Sequence, residues 1–457
     1  MSKTPSNPKG TRDFLPSELS KRNYILDILK KNFQLFGFSQ IETPALEKNT
    51  TLLGKYGSEG DRLIFKILNS GDKVKKADLN ALKENKLLEF TNSISEKGLR
   101  YDLTVPLARF VAQHQNDIVF PFKRFQIQNV WRADRPQHGR FQEFTQCDAD
   151  VIGSNSIIQE IELIKLYDKA FTELGFNDIV FKINHRLILK GLADYIGAEN
   201  KLNDFISIID KLDKTGLDLV IKEIKDLIED VSVSKLKNLL EDKTITIDKL
   251  STFFIDFPEA KKGLNDLSSI LEFIYLDNSL NNEIRFDLTL ARGLNYYTGT
   301  IIEVSSKSNS RIGSLGGGGR YDDLTTLFNM KNTSGVGISF GLDRIYLLME
   351  EKNLFPEYLE NSFDIIIINF GIKYLKKIFP VIDMFRKNNK KVFVYPDEVK
   401  LNKQFSYANK HNASFAIIMG EDEFNKDEIL VKNLTEGSQL TYPISKLDLI
   451  LLGLKRD

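Results

Sequence analysis

The stretch from Arg124 to Asp150 carries residue types that could perform chemistry, at a spacing typical of a β-hairpin. Two alternating segments flank a loop from Ala133 to Gly139, whose proline, histidine and glycine are typical of turns. The alternation places these side chains on one face: Arg124, Gln126, Gln128, Arg132, Gln142, Phe144, Gln146, Asp148 and Asp150. Arginines suit an anion and carboxylates suit a cation, so the pattern predicts a pocket for a ligand with phosphate and ammonium groups. The alternative is a polar face that meets bulk water.

Two other stretches carry further candidate residues. Asp102 and Thr104 share one face of a predicted strand at 99–105, where they either hold an ammonium group or form a solvated face. Arg344 follows the predicted strand 335–341 in the first turn of a helix. A cation is unfavourable there because of the helix dipole, so Arg344 indicates a bound anion, unless it is an ordinary surface arginine.

Four glycines at 316–319 follow the segment Ala291 to Gly299 and the predicted strand 300–305. The pattern predicts that the glycines open a helix from Tyr321 to Phe328, where bare backbone could pass close to a ligand. The alternative is a flexible turn, the commoner role of glycine runs.

These candidates must be positioned by elements that the sequence divides into five segments. A catalytic core is predicted in two parts, 1–184 and 283–349, on either side of a helical insertion at 185–282 that has helical periodicity and no visible chemistry. A linker, 350–361, leads to an α/β domain at 362–457. Strands and helices alternate in this last domain, which predicts a mostly parallel sheet and a final helix.

The first part of the core has the clearest sequence of predicted elements. They are a helix at 17–36, a strand at 38–46 broken by Pro44 and therefore placed at a sheet edge or interface, a strand at 63–68, a surface insertion at 70–91, a helix from Pro106, a helix at 156–174 and a strand at 178–184.

Composition narrows the class of protein. The chain has 457 residues, with Lys+Arg and Asp+Glu both at 63, so net charge neither supports nor excludes an RNA partner. The single cysteine, Cys147, rules out an intrachain disulfide and fits a reducing, cytoplasmic location. Four histidines and one cysteine argue against a zinc site. We expect neither a secretory signal nor a membrane span, since no apolar run is long enough.

Several stretches together resemble the histidyl-tRNA synthetases, a family of class II aminoacyl-tRNA synthetases. In chain order they are KGTRDFLP, a proline-bearing segment at Pro44, RYDLTVP, VWRADRPQHGRFQEFTQCDAD, ARGLNYYTG, GGGGRYDDL and GVGISFGLDRI. ARGLNYYTG is the most specific, because the family's histidine-specific segment carries this pattern. The tail, with LNKQFSYANKHNASFAIIMGEDE, is similar to the family's anticodon-binding domain.

The resemblance implies an α+β catalytic domain with an antiparallel sheet flanked by helices, plus the helical insertion and a C-terminal α/β anticodon-binding domain. It implies a homodimer with its interface near Pro44. It also implies a two-step reaction, in which L-histidine and ATP, with Mg²⁺, give histidyl-adenylate, and the histidyl group then passes to the 3′ end of histidine tRNA. Attack of a carboxylate on the α-phosphate requires positive charge and positioning rather than a covalent nucleophile, which agrees with the residues present.

The resemblance also assigns roles to individual residues. The expected ATP-binding residues are Arg132, Arg140, Arg292 and Arg344, of which Arg132 and Arg292 are catalytic and Arg292 neutralises the α-phosphate. The expected histidine-binding residues are Asp102, Thr104 and Gln146 for the ammonium group, and Asp150, Tyr296 and Tyr297 around the imidazole. Because an imidazole offers one donor and one acceptor, a carboxylate and a hydroxyl can satisfy both.

The loop residues Arg135 and Gln137 are expected to contact the acceptor stem of the tRNA. Histidine tRNA carries an extra 5′ guanosine that the family is expected to read, and both side chains can hydrogen-bond a base. The alternative is that both are solvated residues at the tip of a loop.

Two rival functions follow from the same fold. A non-catalytic regulatory paralogue would sense histidine, but such proteins typically lack the C-terminal domain and lose site residues, whereas this chain keeps both. A sister synthetase for proline or threonine is disfavoured by ARGLNYYTG and, for threonine, by the missing zinc ligands.

Overall fold

The computed structural model describes residues 5–54, 56–228, 230–242, 245–293, 296–309, 311–322 and 324–446. Its chain forms two compact units, one of Met1–Asp13 with Ile25–Leu354 and the other of Phe14–Tyr24 with Phe355–Asp457. Three residues of the motifs, Leu294, Asn295 and Asp323, lie outside the described residues. The predicted final helix falls mainly on 447–457, which also lie outside them.

The bounds of the helices and strands are as follows. The helices are α1 (Pro16–Leu35), α2 (Asn49–Leu52), α3 (Gly57–Arg62), α4 (Leu79–Lys83), α5 (Leu87–Ile94), α6 (Thr104–Gln113), α7 (Ile158–Glu173), α8 (Arg186–Tyr195), α9 (Leu202–Ile209), α10 (Leu212–Thr215), α11 (Leu217–Lys225), α12 (Asp230–Glu241), α13 (Ile247–Phe253), α14 (Pro258–Asp277), α15 (Leu342–Glu351), α16 (Ile372–Lys387), α17 (Leu401–Lys410) and α18 (Glu421–Lys426). The strands are β1 (Ser39–Gln40), β2 (Leu46–Lys48), β3 (Lys66–Ile67), β4 (Lys97–Leu99), β5 (Phe122–Trp131), β6 (Glu143–Ile152), β7 (Ile179–His185), β8 (Glu283–Phe286), β9 (Thr300–Ser306), β10 (Gly316–Tyr321), β11 (Gly335–Gly341), β12 (Ile365–Ile367), β13 (Val392–Val394), β14 (Phe415–Ile418), β15 (Glu428–Asn433) and β16 (Gln439–Pro443).

The large sheet of the first unit has the strand order β1-β5-β6-β11-β10-β9-β7-β8. Its pairs are antiparallel except at the two edges, β1-β5 and β7-β8, so the predicted antiparallel sheet is confirmed. Helices α7, α14 and α15 pack against it. A cluster of aromatic side chains packs on one face of the sheet. The ring centroid of Phe33 lies 5.1 Å from that of Phe125 and 5.7 Å from that of Phe340, and the Phe340 centroid lies 4.6 Å from that of Tyr167.

The predicted hairpin is confirmed as β5 and β6. Arg124 lies opposite Asp150, Trp131 lies opposite Glu143, and the loop predicted at 133–139 falls between the two strands. Phe125 and Cys147 point into the core and are fully or almost fully buried. Because side chains alternate along a strand, the polar residues of the hairpin face the other side of the sheet, where a cavity lies.

The predicted strand at 99–105 is wrong. Strand β4 ends at Leu99 and helix α6 begins at Thr104, before Pro106. The reason is local, since the Asp102 carboxylate accepts a hydrogen bond from the Val105 backbone N–H at 3.1 Å. Such a bond satisfies one of the free N–H groups at a helix start, and proline is tolerated in that first turn.

The predicted helix after the glycine run is also wrong. Gly316–Tyr321 is strand β10, paired on both sides, and only a 3₁₀ turn at Leu324–Phe328 follows. Here the lack of side chains makes room above the sheet. A Cβ at Gly317 would overlap the Arg292 guanidinium, and one at Gly319 would come within 2.9 Å of the Tyr297 ring.

The segment predicted as one strand at 38–46 forms two short strands on either side of Pro44. Strand β1 lies at the edge of the large sheet, as predicted, and β2 belongs to a small sheet of order β2-β4-β3. The predicted strand at 63–68 shortens to β3. The predicted surface insertion at 70–91 holds a 3₁₀ turn, all of α4 and the first part of α5, with most residues exposed.

The described residues between 186 and 277 form helices α8 to α14, and α8 and α14 pack on each other and on β7. Its status as a separate insertion domain stays a prediction, as do the other domain boundaries.

The second unit is an α/β sheet of order β13-β12-β14-β15-β16. The first two pairings are parallel and the last two antiparallel, so the predicted mostly parallel sheet is wrong for half of it. The connections 419–427 and 434–438 are too short for the crossover that parallel strands require. None of the helices in the described part of the chain has the length and apolar character that a membrane crossing needs.

Candidate active site

A cavity of about 1070 Å³ lies over the polar face of the hairpin. Its lining includes these predicted site residues: Asp102, Thr104, Arg132, Arg140, Gln146, Asp150, Arg292, Tyr296, Tyr297 and Arg344. Arg135 and Gln137 are exposed in the loop between β5 and β6 and do not line it. The charged residues form two groups, which we call the carboxylate end (Asp102, Asp148 and Asp150) and the arginine end (Arg132, Arg140, Arg292 and Arg344).

Asp102 is buried at the start of α6 and is held by tyrosines. The Tyr56 hydroxyl donates to its Oδ1 at 2.9 Å, and the Tyr296 hydroxyl donates to its Oδ2 at 3.5 Å. Burial raises the pKa of Asp102, while the bond from the Val105 N–H opposes the rise. The carboxylate is thus fixed in direction before any ligand arrives.

Asp150 on β6 is also buried, and it has two strong partners. The Arg124 guanidinium lies 2.7 Å from its Oδ2, and the Tyr321 hydroxyl donates to its Oδ1 at 2.5 Å. Burial raises the pKa of Asp150, and the charge of Arg124 works against that rise. Gly337 on the neighbouring strand leaves the space that the carboxylate fills, since a Cβ there would overlap it.

Asp148 lies two residues before Asp150 on the same face and also lines the cavity. Its side chain is 2% exposed, and among the described residues its Oδ1 has no hydrogen-bond partner. Burial, and after it the nearby Asp150 charge, raise the pKa of Asp148 to about 7, against the attraction of Arg124. Gln146 likewise has a buried Oε1 without a partner in the described part of the chain, so this end offers acceptors to a ligand that brings donors.

At the arginine end, three guanidinium groups are held by backbone carbonyls. The bonds run from Arg132 Nε to Tyr101 O (3.0 Å), from Arg344 Nη1 to Ser314 O (2.8 Å) and from Arg292 Nη1 to Ile302 O (3.2 Å). A carbonyl orients a guanidinium without cancelling its charge, and each guanidinium has five N–H donors, so donors remain for a ligand.

The charges of this end repel one another. Burial lowers the pKa of Arg344, and the positive charges of Arg140, Arg132 and Arg292 lower it further. Burial also opposes the charge of Arg292, but neighbouring Tyr297 and Glu303 raise its pKa above the ordinary value. Arg140 differs, since it lies half-exposed at the rim with Asp134 2.8 Å away. An anionic ligand would relieve this repulsion.

Sequence reasoning assigned no individual role to four residues of the site: Tyr56, Arg124, Asp148 and Tyr321. It placed Arg124 and Asp148 on the polar face of the hairpin, and it missed both tyrosines. The pairing of Arg124 with Asp150 could have been predicted from the sequence, because a hairpin whose loop is centred on Gln137 places these two residues directly opposite each other. Tyr321 was missed because the glycine strand that carries it was predicted to open a helix. Within the described residues, no group of three or more His, Cys, Asp or Glu side chains has an arrangement that could hold a metal ion.

Comparison with known proteins agrees with these features. Residues 75–345 match the family model described as histidyl-tRNA synthetase, and residues 364–452 match the model of an anticodon-binding domain. The chain is 50% identical to a histidine–tRNA ligase of Flavobacterium johnsoniae, over 99% of this chain and all of that one. It is also 50% identical to the ligase of Christiangramia forsetii, over 96% of this chain and 97% of the relative.

Among solved structures, the chain resembles a histidyl-tRNA synthetase from Nostoc sp. PCC 7120 with a TM-score of 0.80 and 28% identity. The match covers 98% of this chain and 99% of that one. The likeness therefore extends over both compact units.

Proposed function

The chain belongs to the histidyl-tRNA synthetase family, and from that premise we propose which residues of the cavity hold each substrate. The enzyme is a histidine–tRNA ligase with ATP as a substrate. It activates L-histidine to histidyl-adenylate and transfers the histidyl group to histidine tRNA. The observation that supports our assignments is that a single cavity joins a carboxylate end to an arginine end.

The carboxylate end is proposed to bind histidine. Asp102, Thr104 and Gln146 hold the ammonium group, because carboxylate, hydroxyl and amide oxygens accept its three N–H bonds. Asp150 accepts a hydrogen bond from the imidazole, and Tyr296 and Tyr297 enclose the ring.

We add Asp148 to this end, since its unpaired oxygen and buried charge suit a cationic group. Arg124 and Tyr321 orient Asp150 and so set the direction in which it can accept a bond.

The arginine end is proposed to bind ATP. Arg132, Arg344 and Arg140 hold the phosphates, and Arg292 lies at the α-phosphate, where charge develops as the histidine carboxylate attacks. Preorganised donors at such a position lower the barrier without a covalent intermediate. Mg²⁺ is proposed to enter as the ATP complex, because phosphate oxygens are the hard ligands that it prefers.

Three further proposals concern partners and location. Arg135 and Gln137 contact the acceptor stem of histidine tRNA, and the second unit contacts the anticodon. The chain works as a homodimer with an interface near Pro44. It works in the cytoplasm, in keeping with its single cysteine, Cys147.

The test of the assignments is ATP–pyrophosphate exchange measured with each amino acid, since this first step needs no tRNA. We expect exchange with L-histidine and none with proline or threonine. Substitution at either end of the cavity should lower it, whereas exchange that is insensitive to changes at both ends would move the active site elsewhere. A histidine-sensing protein without catalysis would bind histidine and show no exchange.

A further inference from the structure

Arg186, the first residue of α8, is hydrogen-bonded to both ends of the segment 292–299. Its backbone N–H donates to the Gly299 carbonyl at 2.9 Å, and its guanidinium Nη1 donates to the Arg292 carbonyl at 3.2 Å. The segment between them carries the arginine and the two tyrosines that line the cavity. One residue outside the cavity lining therefore contacts both ends of this segment, with its backbone at Gly299 and with its side chain at Arg292.

The burial of Arg186 differs from that of Arg124 and Arg320, two other buried arginines of the chain. Arg124 and Arg320 each meet a carboxylate, with N···O distances of 2.7 Å to Asp150 and 2.6 Å to Glu160. Arg186 is 8% exposed and donates to a carbonyl, while burial lowers its pKa to about 10. Burying a guanidinium in this way costs stability, and a neutral side chain would be less costly if packing were its sole role.

The bond from Arg186 has a geometric consequence for Arg292. It fixes the carbonyl of the residue whose guanidinium lies over Gly317 and donates to Ile302 O. Fixing both the carbonyl and the side-chain nitrogen of one residue limits the directions in which its remaining N–H groups can point. At the other end of the segment, Thr298 is held by Asp322, whose carboxylate accepts its hydroxyl at 2.8 Å.

We propose that Arg186 is a positioning residue for histidine activation, whose side chain holds the Arg292 carbonyl so that the Arg292 guanidinium is aligned with the α-phosphate. We call this contact the Arg186 clamp. The proposal rests on the role of Arg292 given above. A displacement of about 1 Å can cost a hundredfold in rate, so loss of the clamp should affect turnover more than folding.

The test is a double-mutant cycle on ATP–pyrophosphate exchange, with Arg186→Met, Arg292→Ala and the double variant. Arg186→Met should lower kcat about tenfold with a smaller change in the KM for ATP. In the double variant the loss should equal that of Arg292→Ala alone within about twofold, because a residue that acts through Arg292 has nothing left to align. Arg186→Lys, which can still donate to the carbonyl, should recover part of the turnover.

Arg100→Met is the matched control. Arg100 is equally buried and also donates to backbone carbonyls, those of Thr43 (2.6 Å) and Asn129 (2.8 Å), but it does not line the cavity. Any fall in kcat of Arg100→Met should be explained by a lower melting temperature of that variant. In the double variant Arg100→Met with Arg292→Ala, the two fold-losses in kcat should multiply.

Two results would overturn the proposal: a kcat for Arg186→Met within twofold of wild type, or losses that multiply in the double variant. Full activity of Arg292→Ala would instead refute the proposed role of Arg292, and the coupling between Arg186 and Arg292 would then have no basis. If Arg186→Met does not fold, the cycle is run with Arg186→Lys, where the same non-additivity is expected and simple multiplication refutes the clamp.

Discussion

At the carboxylate end of the cavity the charged groups are held mainly by other side chains, with one backbone N–H at Asp102, whereas at the arginine end they are held by backbone carbonyls. Asp102 and Asp150 accept bonds from tyrosine hydroxyls, and Asp150 is also paired with Arg124. Arg132, Arg292 and Arg344 donate to main-chain oxygens instead.

This difference indicates two ways of preparing a site. The carboxylate end has fixed geometry and partly compensated charge, which suits discrimination of a small amino acid by a few directed bonds. The arginine end has fixed direction and an excess of positive charge, because Glu303 near Arg292 and Asp134 beside Arg140 balance only part of it. This excess suits stabilisation of phosphate charge in the transition state. Asp148 is the exception at its own end, since its Oδ1 has no partner within the described residues.

The largest effect should come from the arginine end. Arg292→Ala removes a partly buried, oriented charge from the proposed α-phosphate position, and kcat for ATP–pyrophosphate exchange should fall roughly a hundredfold or more. Arg140→Ala is the control from the same end, since Arg140 lies half-exposed beside Asp134 and its charge is screened. We expect a loss of less than about tenfold there. Turnover within a few-fold of wild type in Arg292→Ala would contradict the assignment.

A somewhat smaller effect is expected for the contact that we propose between Asp150 and the substrate imidazole. Asp150→Ala leaves the donors of the substrate and of Arg124 without a partner, which should cost about 1–3 kcal/mol in kcat/KM for histidine. Tyr321→Phe removes only the hydroxyl that orients Asp150 and should cost about 1 kcal/mol. The measurement is histidine-dependent exchange at saturating ATP. An unchanged kcat/KM in Asp150→Ala would remove this residue from the histidine pocket.

The third prediction concerns the exception, Asp148, and uses stability instead of rate. Its pKa is raised to about 7 in the folded protein from 3.8, so the folded state binds a proton that the unfolded state releases between these values. The contribution of Asp148 to stability is therefore greatest below pH 3.8 and is lost as pH rises through about 7. Asp148→Asn avoids the buried charge and should be more stable than wild type by about 1–2 kcal/mol at pH 8.

The gap between Asp148→Asn and wild type should shrink as pH falls from 8 to 5, which urea unfolding at several pH values can measure. Asp178→Asn, outside the cavity, is the control. Against the effect of burial, hydrogen bonds from Ser308, Ser306 and Lys352 lower the pKa of Asp178 to about 2, so it stays ionised between pH 8 and 5 and its gap to wild type should not change with pH. A gap that is constant with pH, or destabilisation at pH 8, would show that Asp148 is not a strained buried acid. A more stable but less active variant would mark the strain as functional.

Much of this site could be predicted from the sequence, because its residues lie in local patterns. The alternation of polar and apolar residues predicted the polar face of the hairpin. The order of the motifs predicted the family and, through it, ten of the residues that line the cavity. The fold class followed for the same reason, as each long element, such as α7 or β11, carries its own periodicity.

What the sequence could not provide depends on contacts between distant segments. The glycines of β10 were misread because their role, room for Arg292 and Tyr297, exists only once three strands are side by side. The hydrogen bond from Tyr56 to Asp102 and the clamp by Arg186 likewise join positions far apart in the chain. The turn before Thr104 was predicted as a strand because the alternation of polar and apolar residues does not distinguish a strand from the residues that precede a helix and hydrogen-bond to its first N–H groups.

The smallest effect should come from a third place, the loop between the two hairpin strands. Arg135 and Gln137 are exposed and do not line the cavity, so neither end should respond to their loss. If they contact the acceptor stem, Arg135→Ala and Gln137→Ala should each weaken aminoacylation by about 1 kcal/mol, or roughly fivefold, because one base or phosphate contact is lost. ATP–pyrophosphate exchange should stay nearly unchanged, since it measures the activation of histidine, which needs no tRNA.

The control is tRNA with and without the extra 5′ guanosine. A contact to that nucleotide predicts that the preference for it shrinks in Arg135→Ala or Gln137→Ala, whereas a contact to the phosphate backbone alone predicts weaker binding to both tRNAs. Equal loss in exchange and aminoacylation would mean that the hairpin itself, and with it both ends of the cavity, had been distorted. No loss in either assay would leave the loop as a solvated connection, and the acceptor stem would have to meet the enzyme elsewhere along the rim.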